Sequence, residues 1–450
     1  MNLFMWISKI LLHRGNDLST YFLPHAYWFK RSILELHQLP LWDQIQFTGQ
    51  PYLADPQNLL FYLPNYLFLL LPVTIAFIFL LGAHFLWAGI GTYFLAHRYF
   101  KLPHWCAVFA AAAFVFTPKF FSHLEAGHYT MLIAFSWLPW FFLAGFNLLR
   151  HPRIKTTIFL AVIAAFMYLN YINIVYFSLL YLTVYALYKR KFYLPHYLLF
   201  VGLFLILIAP NLIAQIQFAP LSTRSLITYQ DVAQPLWSFK LFAQNLVFPF
   251  FLNHSQLSTE RVLFPGLIVW VLAYIGWSKF KSKDKYFYLG WLIFSLLFAL
   301  GDRIPFFVLF YKFFPLMGWL RVTTRLWIIT NLFLAIFAGF GLRQLFRYRL
   351  LIIVLGFVEL SFIDYKIFAR PIALDPTPAS FYQLINQDQH QPFRVYCTTG
   401  CFSLQKLGRL GIYSLAGNNP VQSQAFVNAL QLAAGYTYSR YIPILPPYEV

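Results

Sequence analysis

Residues 279–285 read KFKSKDK, four lysines and one acid set between two apolar runs. Four other short connectors have the same character: Arg98–Lys101, Arg150–Lys155, Lys189–Lys191 and Arg343–Arg349. The five hold fifteen of the thirty-three Lys and Arg residues, and Asp284 is the only one of the fourteen Asp and Glu residues among them. They occupy alternate gaps of a chain that is otherwise almost continuously apolar, and the gaps between carry the acids. That alternation is the positive-inside pattern of a polytopic membrane protein. It predicts cytoplasmic basic connectors and places acid-dependent chemistry on the opposite, extracytoplasmic side.

Composition agrees. The 450 residues are 60% hydrophobic, 21% aromatic and 10% charged, with mean hydropathy +0.62. A net charge of +19 can signal a nucleic-acid partner. Here the charge is split into small clusters between apolar runs, which fits orientation in a membrane and contact with anionic lipid, not nucleic acid. Cys106 falls in an apolar run and reads as inert packing. Met1–Leu12 is apolar but no small-residue cleavage site follows it, so it does not read as a cleaved signal peptide.

A span needs roughly 20 apolar residues. By that rule about ten are expected: 73–97, 104–121, 131–149, 156–170, 172–188, 195–216, 262–278, 286–301, 326–342 and 350–365. The fold expected is an all-α polytopic membrane domain over 1–365, with long outer loops at 13–72 and 217–261. A small extracytoplasmic α+β module is expected over 366–450, with a strand near Phe393–Tyr396 and a helix near Ser423–Ala433. Residues 1–12 are too short to cross. Either they lie in the interface or a first span precedes them.

Four stretches carry a resemblance. GNDLSTYFLPHAYWFKRSILELHQLPLWDQIQFTGQPYLADPQNLLFYLPN starts at Gly15, GHYTMLIAFSWLPW at Gly127, FFPLMGWLRVTTRLW at Phe313 and YSLAGNNPVQSQAF at Tyr413. In order and topology they resemble the YfhO family of bacterial membrane proteins, over roughly residues 15–430. That family is grouped with the GT-C glycosyltransferases. The resemblance implies a multi-pass plasma-membrane enzyme acting on the outer side. It also implies a sugar donor carried on a polyprenyl phosphate and a catalytic carboxylate in the first outer loop. The family's usual first span is not seen and the C-terminal part is shorter, which suggests a truncated or specialised member.

Glycosyl transfer from a lipid phosphate needs a base for the acceptor hydroxyl and help for the leaving phosphate. Asp17 is the best base candidate. Its plain alternative is a helix cap, a role that Asn16 or Asp17 can fill. Asp43 and Asp55 read as turn residues. The short outer loop around Glu125 and His128 offers ligands, and with Asp17 it makes a tentative set for a divalent cation such as Mg or Mn. Its plain alternative is polar exposure at the interface. Arg321 and Arg325 share one helical face at the outer start of the ninth span. There they suit a phosphate, the alternative being snorkelling to headgroups. Glu359 falls inside the last span, where an acid is costly and needs a partner. No P-loop, dinucleotide fingerprint or zinc spacing is present, which argues against ATP-driven transport.

With these candidate residues, the resemblance implies an inverting glycosyltransferase that moves a sugar to an extracytoplasmic glycan, lipid or cell-wall polymer. A transporter or lipid-linked glycan flippase would place its charges near the midplane, whereas most acids here lie in outer loops. A non-catalytic membrane scaffold would keep the fold without the base. Cys397 and Cys401 stand on the predicted outer side, where a disulfide and two free thiols are both open.

Overall fold

The computed structural model describes residues 15–233, 238–253, 256–314, 316–318, 320, 322–368, 377–387, 393–396, 402–435 and 444–445. Cys397, Cys401 and Arg321 lie outside the described residues, as does the segment 1–14.

After a π-helical turn at Leu18–Phe22, helix α1 runs over Leu23–Leu34. Ten apolar helical segments follow where ten spans are expected. They are α2 (Val73–Phe94), α3 with α4 (His104–Val115 and Pro118–Glu125), α5 (Tyr129–Arg150), α6 (Ile154–Asn170) and α7 (Ile172–Tyr188), then α8 (Leu194–Phe218), α9 (Leu267–Lys279), α10 (Asp284–Ala299), α11 (Trp327–Gln344) and α12 (Arg349–Phe368). The second is split because Pro118 starts a new helix at its first turn. Among the described residues five runs are long and apolar enough to cross a membrane: Val73–Tyr99, His104–Glu125, Tyr129–Arg150, Leu194–Leu221 and Thr323–Gln344. Helices α6, α7 and α9 are apolar but shorter.

Helix α11 is the axis of the core. It is apolar on all sides, as a helix surrounded by others must be, and 89% of its most apolar window is buried. Helix α9 crosses it with no side chains between. A Cβ on Gly276 would stand 2.0 Å from the Phe337 carbonyl, and one on Gly341 2.0 Å from the Leu272 carbonyl. Small residues let the two backbones touch.

Glu359 needs no basic partner. Its Oε1 and Oε2 accept the backbone N–H groups of Leu267 (2.5 Å) and Ile268 (3.0 Å), so α12 caps the N-terminus of α9. A carboxylate there satisfies two donors that the helix cannot.

The charge pattern maps onto the fold. Lys189 Nζ meets Asp284 at 2.9 Å, joining two basic connectors, and Arg150 stacks on Tyr99, joining two more. Helices α5, α7 and α11 each end at this basic face. Their starts, at His128, Tyr171 and Arg325, lie together at the opposite end.

The remaining structure packs there. Strands β1 (Trp42–Asp43) and β2 (Gln50–Pro51) pair antiparallel, as do β3 (Gly417–Asn418) and β4 (Ile444–Leu445). Helix α13 (Leu404–Leu410) lies on α1, and α14 (Gln424–Ala434) occupies the expected helical stretch. Val395 makes a single parallel bridge to Ser414 where a strand is expected.

Candidate active site

Asp17 begins the site. Its neighbour Asn16 does the capping: Asn16 Oδ1 accepts the Ser19 N–H at 2.9 Å, and the Asp17 side chain makes no cap bond. Freed from that role, the Asp17 carboxylate is about half exposed and lies 3.2 Å from His128 Nε2. The backbone brings the two together. The Asp17 N–H donates to the Ala126 carbonyl at 3.0 Å. Gly127, at φ +76°, turns the chain where a Cβ would sit 2.4 Å from the Leu18 nitrogen. Only glycine takes that turn without strain.

Behind His128 stands a buried polar network. His128 Nδ1 and His123 Nδ1 are 2.7 Å apart. With Asp17 ionised, His128 Nε2 donates to it, and a neutral His128 then accepts at Nδ1 from His123. Beyond them Arg325 Nε donates to Glu260 Oε1 at 2.8 Å, its Nη2 reaches the same oxygen, and its Nη1 donates to the Tyr171 hydroxyl. Lys119 is fully buried. Its Nζ donates to the Thr259 and Glu260 carbonyls, both at 3.3 Å, and lies 4.0 Å from Glu260 Oε2. Burial pushes the Glu260 carboxyl up, but Arg325, His123 and Lys119 outweigh it and hold it well below the usual carboxylate range.

Asp17, His128 and Arg325 line one cavity of about 230 Å³. Arg224 lines it too, with its Nε donating to the Pro420 carbonyl at 2.7 Å. Part of the wall comes from the far end of the chain, at Asn418, Pro420 and Val421. Glu125 ends α4 one residue before the Ala126 contact and does not line the cavity.

Asp43 and Asp55 make the turns expected of them and more. Each accepts a backbone N–H two residues on, at 2.8 Å. The second oxygen of Asp55 takes the Tyr21 hydroxyl (2.5 Å) and Asn419 Nδ2 (2.7 Å). His25 Nε2 lies 3.5 Å from Asp43 and 3.7 Å from Asp55. Burial pushes the Asp43 carboxyl up, and His25 opposes that shift. This buried cluster fixes the floor of the first outer segment beneath the cavity.

Among the described residues the metal reading has two settings. Asp17 and His128 give one carboxylate and one imidazole, well short of the six oxygens a hard ion takes. His123, His128 and Glu260 bring ligand atoms within 4.8 Å of one another. Arg325 and Lys119 already supply two cations to that Glu260, which disfavours adding a divalent ion. Neither set fits Mg or Mn well.

The sequence reading missed Lys119 and Glu260. Lys119 had a signal, an ionisable residue at the end of an apolar run, which is seldom idle. Glu260 had none beyond being an acid in an outer segment.

No protein-family model matches the chain, and no curated protein does. Among solved structures it is similar to the mycobacterial arabinofuranosyltransferase AftD, seen by single-particle cryo-EM. The TM-score is 0.58 at 11% identity, over 93% of this chain and 31% of that one. An arginine-to-serine variant of AftD gives TM-score 0.54 at 12% identity, over 92% and 32%. The chain therefore spans about a third of the length of these proteins. At such identity the likeness is one of fold alone.

Proposed function

We propose that this chain is an integral-membrane GT-C-type glycosyltransferase, related to the YfhO proteins, with its site on the extracytoplasmic side. It moves a sugar from a polyprenyl-phosphate donor to the hydroxyl of an extracytoplasmic glycan, lipid or cell-wall polymer. The observation that carries the reading is Asp17: a half-exposed carboxylate, relieved of capping, held by His128 in a cavity that Arg325 and Arg224 also line.

In the proposed reaction the acceptor hydroxyl attacks the anomeric carbon from the face opposite the phosphate. Asp17 accepts the hydroxyl proton as the new C–O bond forms. The bond from the anomeric carbon to the phosphate oxygen breaks, and polyprenyl phosphate leaves with the electron pair. The configuration inverts. Arg325 spends three of its five N–H donors on Glu260 and Tyr171; the other two suit a phosphate oxygen. Arg321 lies outside the described residues and is assigned to the same proposed phosphate site from its sequence position alone; Val322, at φ +63°, interrupts the helical face expected to join the two arginines. A Mg or Mn ion shared by Asp17, His128 and Glu125 is not used in this reaction, because the cationic side chains supply the charge at the leaving group.

The test is transfer by the purified full chain supplied with radiolabelled polyprenyl-phosphate sugars. Asp17→Asn should abolish transfer and leave the melting temperature within a degree or so of the parent, since Asn16 keeps the cap. Turnover by that variant at the parental rate would remove Asp17 as the base.

A further inference from the structure

A second cavity, of about 640 Å³, opens some distance from Asp17 between α1, α13 and the first turn of α2. Three cations line it: Lys30, Arg31 and Arg409, with Glu35 as the one acid. Lys30 and Arg31 belong to the segment that the charge pattern puts outside, where basic residues are disfavoured. Something must favour their presence there.

We propose that this cavity binds the phosphate of an anionic membrane lipid in the outer leaflet. Three observations point to a lipid. The first is depth. Pro72, Val73 and Thr74 line the cavity and start the run Val73–Tyr99, which is long and apolar enough to cross. Helix α2 alone has 22 residues, about 33 Å of rise against a hydrocarbon core of about 30 Å. Its first turn therefore stands at headgroup level.

The second is the surface beside the cavity. Leu34, Leu36, Leu39, Leu41 and Trp42 are all exposed within nine residues, and Leu39 is 61% exposed. Leu70, just ahead of α2, and Ile75 and Phe79 in its first turns are exposed apolar residues as well. A lipid whose headgroup filled the cavity would lay its chains along that face.

The third is the donor supply. Lys30 Nζ donates to the Leu71 carbonyl at 2.9 Å and Arg31 Nη1 to the Gly411 carbonyl at 3.1 Å. These bonds fix both heads at the cavity wall. Arg409 is exposed at the end of α13 and completes the set. Helix α2 adds its uncapped N-terminus, since Pro72 offers no capping side chain. Arg31 Nε also pairs with Glu35 at 3.3 Å, so a phosphodiester meets a net charge of two cations and a helix start, and its acyl chains meet leucine. The site stands whether or not Asp17 is a base.

The experiment is lipid retention by the purified full chain, read by native mass spectrometry after equilibration with phosphatidylglycerol. Diacylglycerol serves as the phosphate-free lipid and inorganic phosphate as the soluble anion. Phosphatidylglycerol should be retained in preference to diacylglycerol, and millimolar phosphate should not displace it. Arg409→Gln should weaken retention about fivefold, and Arg409→Lys should restore most of it. Lys30→Gln should add a similar loss; if it fails to fold, the Arg409 pair decides alone. Equal retention by Arg409→Gln and the parent would overturn the site. Equal retention of diacylglycerol would overturn the role of the phosphate, and displacement by inorganic phosphate would show a soluble-anion site instead of a lipid site.

Discussion

Glu260→Gln strands two buried cations. In the parent, Glu260 Oε1 holds Arg325, whose side chain is 15% exposed, and Oε2 faces Lys119, which is 0% exposed. Breaking a buried pair from one side costs about 3–5 kcal/mol, because the surviving charge loses its partner without regaining water. Two cations share this acid, so the loss should fall in that range despite the near-equal size of glutamine. The assay is denaturant or thermal unfolding of the purified chain in detergent micelles, with Glu260→Gln, Arg325→Met and the double variant forming a cycle. The double variant should be less destabilised than the sum of the singles by at least about 1 kcal/mol. Acid adds a second readout. The folded Glu260 carboxyl is held below its unfolded value, so its stabilisation is complete above about pH 4.3 and fades as pH falls toward the folded value. The parent's margin over Glu260→Gln should shrink in that acid range. A loss below about 1 kcal/mol, the scale of an exposed pair, together with additive singles, would refute the buried network.

Two further outcomes are expected. Gly341→Ala would set a Cβ 2.0 Å from the Leu272 carbonyl and push α9 off α11, at a cost of about 1–3 kcal/mol; Gly202→Ala, which meets nothing within 4 Å, is the control, and equal melting temperatures would count against the close crossing. A cysteine placed at Ser282 should escape an impermeant thiol reagent in intact cells, and labelling there would reverse the orientation.

The chain shows its helices plainly because their signals are local. Charge alternation and apolar run length need no knowledge of contacts, and each of the ten expected positions holds a helix. The candidate site was legible only in part. Both Asn16 and Asp17 look like caps, and the choice depends on which side chain reaches Ser19. Glu260 lies 65 residues from Arg325 and 141 from Lys119, so no pattern along the chain pairs them. For Glu359 the sequence leaves open a polar cavity, a basic partner or solvent near Asp364, and the structure supplies backbone N–H groups. Helix ends are invisible to a search for charges, since any residue can supply them. The turn reading of Asp43 and Asp55 was right for one oxygen of each and silent on the other, because His25 and Asn419 arrive from elsewhere in the fold.

The wall that Asn418, Pro420 and Val421 give the Asp17 cavity has a consequence for biogenesis. Asp17 emerges from the ribosome about four hundred residues before its facing wall does. Until then the carboxylate lacks this part of its surroundings. That part of the wall forms only once the segment after α12 has been made and has docked on Thr223 and Asp55. Completion of the proposed site is thus tied to late translation, and a chain stopped before residue 418 would carry its proposed base in a cavity short of one wall.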